Sequence, residues 1–248
     1  MNRWKASAFH LGISALVAAL VVGVMLKLWY PPPYFDAMGG ATLLILIVGC
    51  DVVLGPLITL IVFKAGKKGL KMDLTLVGCL QLAALCYGSY TIFLARPVFT
   101  VFAVDRFEVV AANDIRAEEL ARATDPEFSS LSLTGPRLVA AKLPSNPDEQ
   151  LTIMLGAMQG GDDVKQMPRL YVPYPQAAQD VARHSKAVSV LSQHDKSSEE
   201  AIRELALRTG SAESELGFLP LNARNQNMSV IVDRRSGNVE GILPINPW

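Results

Sequence analysis

Residues 38–63 read MGGATLLILIVGCDVVLGPLITLIVF, and residues 64–71 follow as KAGKKGLK. The first of these stretches is apolar apart from one carboxylate, Asp51, which lies close to its midpoint. At a rise of about 1.5 Å per residue, it is long enough to cross a hydrocarbon core of roughly 30 Å. The lysines of the second stretch predict a cytoplasmic boundary, because basic residues concentrate on that side of a membrane.

Two further apolar runs flank this stretch, so the sequence predicts three transmembrane helices at about residues 8–30, 38–63 and 74–94. A cleaved signal peptide is the alternative for the first run. That run exceeds the usual length of about 7–15 residues, however, and no small-residue cleavage site precedes Tyr30. The lysine-rich loop places the N-terminus in the cytoplasm and everything after Arg96 outside. We therefore expect a multi-pass inner-membrane protein with a membrane domain of residues 1–96 and a periplasmic domain of residues 97–248.

The formal net charge of zero hides an asymmetry between these two parts. Residues 1–96 contain eight basic and three acidic side chains, whereas the rest of the chain contains 15 basic and 20 acidic ones. The lysines cluster at one membrane edge, so the pattern argues against nucleic-acid binding. All three cysteines, Cys50, Cys79 and Cys86, lie in apolar runs, where we expect them to pack as small apolar side chains.

The periplasmic part shows the alternating elements of an α+β domain. A β-rich run at residues 98–110 has a break near Asp105 and Arg106, and residues 228–243 have the pattern of a hairpin with Gly237 in its turn. Between them, capping signals predict helices that begin after Asn146, at Pro175 and at Ser197. The fold class is thus a membrane protein with three transmembrane helices followed by an exported α+β domain.

Asp51 is the strongest candidate for a functional residue. A charged side chain at the bilayer centre costs about 2.5–3.5 kcal/mol on insertion scales, so its presence needs a cause. The alternatives are an internal hydrogen bond to Tyr87 or Ser89 of the third span, a polar contact with a partner's helix, and proton or ion translocation. Counting depth at about 1.5 Å per residue excludes Gln81 and Lys27 as its partners.

Small residues provide the other candidate partner-binding positions. Ala15, Ala19 and Gly23 recur every four residues on the first span and permit close approach of a helix. That helix is either another span of this chain or the membrane helix of a partner. Around Asp51, three residues that thin or kink the second span belong to the same candidate site: Gly49, Gly55 and Pro56.

The sequence gives no positive indication of catalysis, so we expect a non-enzymatic protein without cofactor or metal. His10, His184 and His194 are not at ligand spacing for zinc. Asp162–Asp163 has the features of a solvated turn rather than a calcium loop. The YVPYP run at residues 171–175 is either an exposed binding surface or a connector whose tyrosines cover the core.

Four segments of the first half resemble the type IV pilin accessory proteins of the TfpX/TfpZ type: WKASAFHLGISALVAALVV, WYPPPYFDAMGG, GCDVVLGPLITLIVFKAGKKGLKMDL and ARPVFTVFAVDRFEVVAAND. The resemblance covers about residues 3–114 closely and only the general size of the remainder. Its signature positions are Tyr30–Tyr34, Gly49–Asp51, Gly55–Pro56, Lys64–Lys68 and Arg96–Phe107.

This resemblance implies an inner-membrane, chaperone-like protein that stabilises a cognate type IV pilin and promotes pilus assembly, with other pilus-assembly proteins as further partners. It carries over no catalytic residues. The alternative is a membrane sensor or regulator that reads a periplasmic ligand, and it would need a separate cytoplasmic effector because both inner segments are short. A membrane enzyme is a third class, but Asp36 and Asp73 alone are weak evidence for one.

Overall fold

The computed structural model of this chain describes residues 2–192 and 196–248. Three helices are long and apolar enough to cross a membrane: α1 (Arg3–Trp29), α2 (Gly40–Val62) and α3 (Leu70–Leu94). Each corresponds to a predicted span, with shifted ends. α1 begins earlier because the Asn2 carboxamide caps it, accepting the backbone N–H of Lys5 at 2.9 Å. α3 begins before Asp73 because Gly69, at a φ of 86°, ends the preceding loop with a left-handed residue.

Two of these helices contain a π-helical stretch, at Met25–Trp29 in α1 and at Gly49–Leu54 in α2. The second stretch contains Asp51 and precedes Pro56, which has no backbone N–H to donate to the helix. Such single π turns widen a helix and change the direction in which its side chains point. The middle of α2 is therefore its least regular part.

α2 lies between the other two membrane helices and contacts both. Towards α1, the Ser7 hydroxyl donates to the Pro56 carbonyl at 2.8 Å, and His10 Nδ1 lies 2.6 Å from the Thr59 hydroxyl. The carbonyl of Pro56 and the hydroxyl of Thr59 are therefore satisfied by side chains of α1. Near Pro56 and Thr59, the polar groups of the α1–α2 contact are therefore paired with each other.

The rest of the chain forms an α+β domain around one mixed sheet. Its strands are β1 (Pro97–Ala103), β2 (Arg106–Ala111), β3 (Arg137–Ala141), β4 (Tyr171–Pro173), β5 (Lys186–Ala187), β6 (Leu216–Asn222), β7 (Met228–Asp233) and β8 (Val239–Leu243). The order across the sheet is β4-β3-β1-β2-β6-β7-β8, with β5 paired to β6. The predicted break at Asp105 is the β1–β2 turn, and the predicted last hairpin is β7–β8.

Five helices complete the domain: α4 (Ala117–Ala121), α5 (Pro147–Met158), α6 (Ala178–His184), α7 (Ser189–Ser192) and α8 (Lys196–Thr209). Single 3-10 turns join them at Ala112–Asp114, Pro126–Phe128, Val164–Gln166, Pro168–Leu170, Tyr174–Gln176 and Glu213–Glu215. The predicted cap of α5 is confirmed, since the Asn146 carboxamide accepts the backbone N–H of Asp148 at 2.9 Å.

The largest core cluster joins the domain to the outer ends of the membrane helices. Met25 and Tyr30, at the end of α1, are fully buried together with Phe107 and Leu219 of the sheet. The PPPYF segment at residues 31–35 joins the same junction, because the Tyr34 hydroxyl accepts a hydrogen bond from the buried Thr100 of β1 at 2.9 Å.

Main-chain hydrogen bonds strengthen this junction. The Ala37 carbonyl accepts the backbone N–H groups of Asn225 at 2.9 Å and Gln226 at 3.2 Å. Arg96 is almost fully buried at the start of β1, where it donates to the carbonyls of Phe93 at 2.7 Å and Ser132 at 2.9 Å. The α+β domain is therefore attached to the three helices by a packed and hydrogen-bonded junction.

Candidate partner-binding site

An open groove of about 230 Å³ lies between α2 and the half of α3 nearest the domain. Its walls are almost wholly apolar, and it opens along the surface of the three helices. The residues that line it are Leu43, Ile47, Cys50, Asp51, Ala84, Leu85, Tyr87, Gly88, Thr91 and Ile92. α3 can approach α2 closely here because Gly88 has no side chain: an added Cβ would lie 2.9 Å from Cγ1 of Ile47.

Asp51 lies at the inner end of this groove and at the midpoint of α2. The residue is only 5% exposed, yet among residues 2–192 and 196–248 no donor forms a hydrogen bond to its carboxylate. His10 is the basic side chain whose charge acts on it, but the His10 ring bonds Thr59 instead. A buried polar group without a partner is costly, so its carboxylate is the group in the groove with unused bonding capacity.

The contact expected from Tyr87 or Ser89 to this carboxylate is not present. The Tyr87 side chain lines the groove but is 74% exposed, and within the described chain neither Tyr87 nor Ser89 donates to Asp51. The α3 side of the groove therefore supplies no hydrogen-bond partner for the Asp51 carboxylate.

The depth estimated for Gln81 was wrong, although Gln81 does not pair with the Asp51 carboxylate. Its Nε2 donates to the backbone carbonyl of Asp51 at 3.3 Å. The depth count began the third span at Leu74, whereas α3 begins at Leu70, so Gln81 and Asp51 both lie eleven residues from the inner ends of their helices. The carboxamide bonds the main chain and not the carboxylate, and its own Oε1 is buried without a partner.

The small residues of α1 face away from the rest of the chain. Ala15 and Ala19 are exposed, and a Cβ added to Gly23 would meet nothing within 4 Å. The face that packs against α2 is instead the one with Ser14 and Ala18. Packing of the predicted stripe on another span of this chain is therefore not observed among the described residues. Gly12, which extends the stripe by one turn, was missed although its spacing in the sequence indicates it.

Of the three residues around Asp51, Gly49 is open, whereas Gly55 and Pro56 are packed against other helices of the chain. Gly49 has open space around it, since an added Cβ would meet nothing within 4 Å. Gly55 is buried against α3, where an added Cβ would lie 1.8 Å from the Gln81 Nε2. Pro56 is buried against α1 through its bond from Ser7. Gly49 is therefore open to a further molecule, while Gly55 and Pro56 lie in contacts internal to the chain.

The domain contains a charged pocket of about 360 Å³ that opens near Met38. Its charges are paired with each other. Glu108 accepts from Lys165 at 3.0 Å and from Asn222 at 2.9 Å, and Arg224 donates to Asp114 at 2.9 Å. These bonds use the polar groups internally, so they stabilise the middle of the sheet, where β2 pairs with β6.

The YVPYP run is a buried connector and not an exposed surface. Tyr171 is 2% and Tyr174 is 8% exposed, and burial raises the pKa of both hydroxyl groups well above the ordinary value. Their hydroxyls donate to the backbone carbonyls of Lys165 and Gly237. The tyrosines therefore cover the core, as the second of the two sequence interpretations predicts.

In the part of the chain that the structure describes, no cluster of potential metal ligands occurs. His184 contacts the carbonyl of Asp180 one turn earlier, and His194 lies outside the described residues. Asp162 pairs with Arg116, and Asp163 caps the turn at Val164–Gln166. These two acids thus have structural roles in a turn.

Comparison with known proteins relates the whole chain to one group. Residues 1–39 match the family described as "Fimbrial assembly protein FimB". The chain is 37% identical over 235 residues to "Fimbrial assembly protein, serogroup I" of Dichelobacter nodosus, covering 93% of this chain and 90% of that protein. It is 33% identical over 234 residues to the serogroup E1 protein of the same organism, with the same coverage. No solved structure matches.

Proposed function

This chain belongs to the fimbrial assembly proteins and takes part in the assembly of pili, and from that premise we propose that it holds its cognate type IV pilin in the inner membrane before the pilin enters the filament. The resemblance to a type IV pilus assembly family is confirmed. The protein acts by binding, like a chaperone that is specific for one client, and no step of the proposal requires chemistry.

The open groove between α2 and α3 is the observation that carries this proposal. Membrane helices associate through close packing of small residues, and this groove offers Ala84 and Gly88 on one wall. A pilin waiting for assembly is anchored by one apolar helix, which fits a groove with apolar walls. The exposed stripe of Ala15, Ala19 and Gly23 on α1, together with Gly49, provides further small-residue surface for the same client or for other pilus-assembly proteins.

The junction between helices and domain supports a second contact outside the membrane. We propose that the N-terminus is cytoplasmic and that the α+β domain is periplasmic, because Arg3, Lys5 and the loop at residues 64–71 place basic residues at one end of the helices. The domain then stands at the height at which a membrane-anchored pilin exposes its globular head. Specificity for one pilin lies in residues 115–248 under this proposal.

Pilin accumulation in the membrane tests the proposal. Cells that produce the cognate pilin with and without this protein are compared for pilin half-life and for surface pili. We expect the pilin to be degraded several-fold faster without the protein, and to co-purify with it in mild detergent when the protein is present. Normal pilin half-life and piliation without the protein would contradict the proposal.

Two controls separate this function from the alternatives. Pilin transcript is measured in the same cells, because a sensor or regulator would lower the transcript while the half-life of existing pilin stayed constant. Exchange of residues 115–248 between two family members is expected to move the pilin preference. If the preference instead follows residues 1–96, the membrane helices and not the domain select the client.

A further inference from the structure

We propose that the α2–α3 groove selects a membrane helix that carries a hydrogen-bond donor at mid-membrane depth, and that Asp51 is the acceptor for that donor. This inference rests on the proposed function, in which the occupant is the apolar helix of the cognate pilin. It adds the chemistry by which that helix is recognised. The donor is a hydroxyl, an amide or a charged amine on one residue of the client helix.

The state of the Asp51 carboxylate is the first argument. The residue as a whole is 95% buried by its own protein, its carboxylate lines the groove, and no described residue donates to that carboxylate. The nearby polar side chains of α1 and of the inner half of α3 bond elsewhere: His10 bonds Thr59, Ser7 bonds the Pro56 carbonyl, and Gln81 bonds the main chain. A carboxylate with no partner at the bilayer centre is destabilising, and a donor from a bound helix would remove that cost.

The shape of the groove is the second argument. On one side of Asp51 the walls are mostly aliphatic, and on the other side the Gln81 side chain fills the space beside Gly55. A helix that enters from the lipid therefore meets the Asp51 carboxylate at one end of the cleft. The other polar groups of the lining are the hydroxyls of Tyr87 and Thr91, and that of Thr91 already donates to the Tyr87 carbonyl. Such a site distinguishes pilin helices from other membrane helices, because a helix without the donor leaves the carboxylate unpaired. The choice of one pilin among several remains with residues 115–248.

The position of Asp51 fixes the position of the donor. Eleven residues separate it from each end of α2, Gly40 and Val62. The donor is therefore expected about 16 Å from either membrane boundary, which is eleven residues into the client's helix at about 1.5 Å per residue. A client whose donor is displaced by two residues would present it on the opposite side of its helix, since each residue turns by about 100°.

The native cysteines allow a direct test. Cys50 lies in the groove beside Asp51, whereas Cys79 is exposed on α3 outside the groove. One full-length variant keeps only Cys50, and a control variant keeps only Cys79. Each is crosslinked in membranes to pilins that carry a single cysteine at successive positions of the apolar helix. We expect Cys50 to crosslink near the middle of the pilin helix, with a yield that repeats at helical spacing, and Cys79 to give at least fivefold less.

The acceptor role is tested by variants in the protein that keeps only Cys50. Asp51→Val is expected to lower the crosslink yield about tenfold, as loss of one interhelical hydrogen bond predicts. The double variant Asp51→Val/Val53→Asp has the same composition but moves the carboxylate about 200° around the helix, and it should not restore the yield. Asp51→Asn keeps an acceptor, so it restores most of the yield for a neutral donor and little of it for a charged amine.

The outcomes separate the two levels of the proposal. Absence of any pilin crosslink from Cys50, together with normal pilin half-life in cells without the protein, overturns the proposed function and this inference with it. If the pilin crosslinks to Cys50 equally well in Asp51→Val, the pilin occupies the groove and only the acceptor role of Asp51 is wrong. Restoration by the Val53→Asp double variant also overturns the inference, because the position of the carboxylate would then be irrelevant.

Discussion

Among the residues whose burial the structure describes, the membrane helices and the α+β domain each contain one buried carboxylate, and the two carboxylates have different surroundings. In the domain, Glu119 is 4% exposed, and its two oxygens accept from Arg122 at 2.8 Å and from Arg169 at 3.3 Å. In the membrane part, Asp51 is 5% exposed and has no donor among the residues that the structure describes. The first acid holds two elements of its own domain together. The second has its bonding capacity left for another molecule.

The same contrast divides the two sides of α2. Its contact with α1 is closed by side-chain hydrogen bonds from Ser7 and His10. Its contact with α3 has one weak bond from Gln81 and then opens into the groove. One helix therefore uses one side for folding and keeps the other side accessible, a division that substitutions can test.

The largest effect is expected for the acid with partners. Glu119→Gln removes the charge that accepts from both Arg122 and Arg169, and it leaves Glu149 as the acid paired with Arg169. Because two charge-assisted hydrogen bonds are weakened at a buried acceptor, we expect a loss of about 3 kcal/mol in the free energy of unfolding. Thermal unfolding of the full chain in detergent measures it. The neighbouring Glu118 is exposed, so Glu118→Gln is the matched control. Equal unfolding temperatures for the two variants would contradict the structural role of Glu119.

The acid without partners should respond in the opposite direction. Asp51→Val removes a carboxylate that costs about 2.5–3.5 kcal/mol on insertion scales. We therefore expect the free energy of unfolding of the variant to rise by about 2 kcal/mol. The same detergent melt measures the change, and the amount of protein in membranes should equal or exceed that of the wild type. A less stable or degraded variant would assign Asp51 an internal structural role and remove the contrast with Glu119.

A smaller effect is expected where α2 contacts α3. In Gly55→Ala the new methyl group would lie 1.8 Å from the Gln81 Nε2, so the carboxamide must move and lose its bond to the Asp51 carbonyl. We expect a loss of about 1–2 kcal/mol, typical of modest overpacking. Gly49→Ala, which meets no neighbouring atom, should be neutral or slightly stabilising. If both variants melt alike, the close approach at Gly55 is not required.

The smallest effect concerns a half-buried acid at the β7–β8 turn. The backbone N–H of Ser236 holds the pKa of the Asp233 carboxyl below its usual range, and the carboxylate accepts from Ser236 N at 2.6 Å and from Arg235 N at 2.9 Å. A depressed pKa in the folded state means that this stabilisation is present at neutral pH and is lost as the pH falls through that pKa. Asp233→Asn should cost about 1 kcal/mol at pH 7.

The pH dependence of that variant gives the control. Below the folded-state pKa the Asp233 carboxyl is protonated in the wild type too, so the difference between the two melting temperatures should shrink with acidification. A difference that stays constant from neutral to acidic pH would show that the charge on Asp233 has no part in the turn.

Sequence reasoning predicted what depends on local patterns. The three spans, the β1–β2 break, the α5 cap and the last hairpin follow from hydropathy, alternation and capping residues close in the chain. The groove was not predicted, because it depends on how far α2 and α3 separate after the π turn at Gly49–Leu54. Which side of α1 packs on α2 was left open by the sequence, and in the structure it is the side with Ser14 and Ala18 and not the side with Ala15 and Ala19.

The junction between loop and domain was missed for a related reason. The aromatic residues of WYPPPYF are typical of a membrane interface, and nothing nearby in the sequence indicates that Tyr30 enters a protein core. The bond from Asn225 to the Asp36 carbonyl joins residues 189 positions apart, which no local pattern reports. Long-range contacts of this kind require the fold itself.

Only Ala95 and Arg96 separate the end of α3 from the first residue of β1, and Arg96 is bonded on both sides of that step. The domain consequently has a fixed rotational orientation about the axis of α3. One residue added to the helical end of α3 would rotate the domain by about 100° about the helix axis and lift it by about 1.5 Å. A molecule that contacts both the membrane helices and the domain must therefore fit the orientation of the domain as well as its height. The junction fixes both.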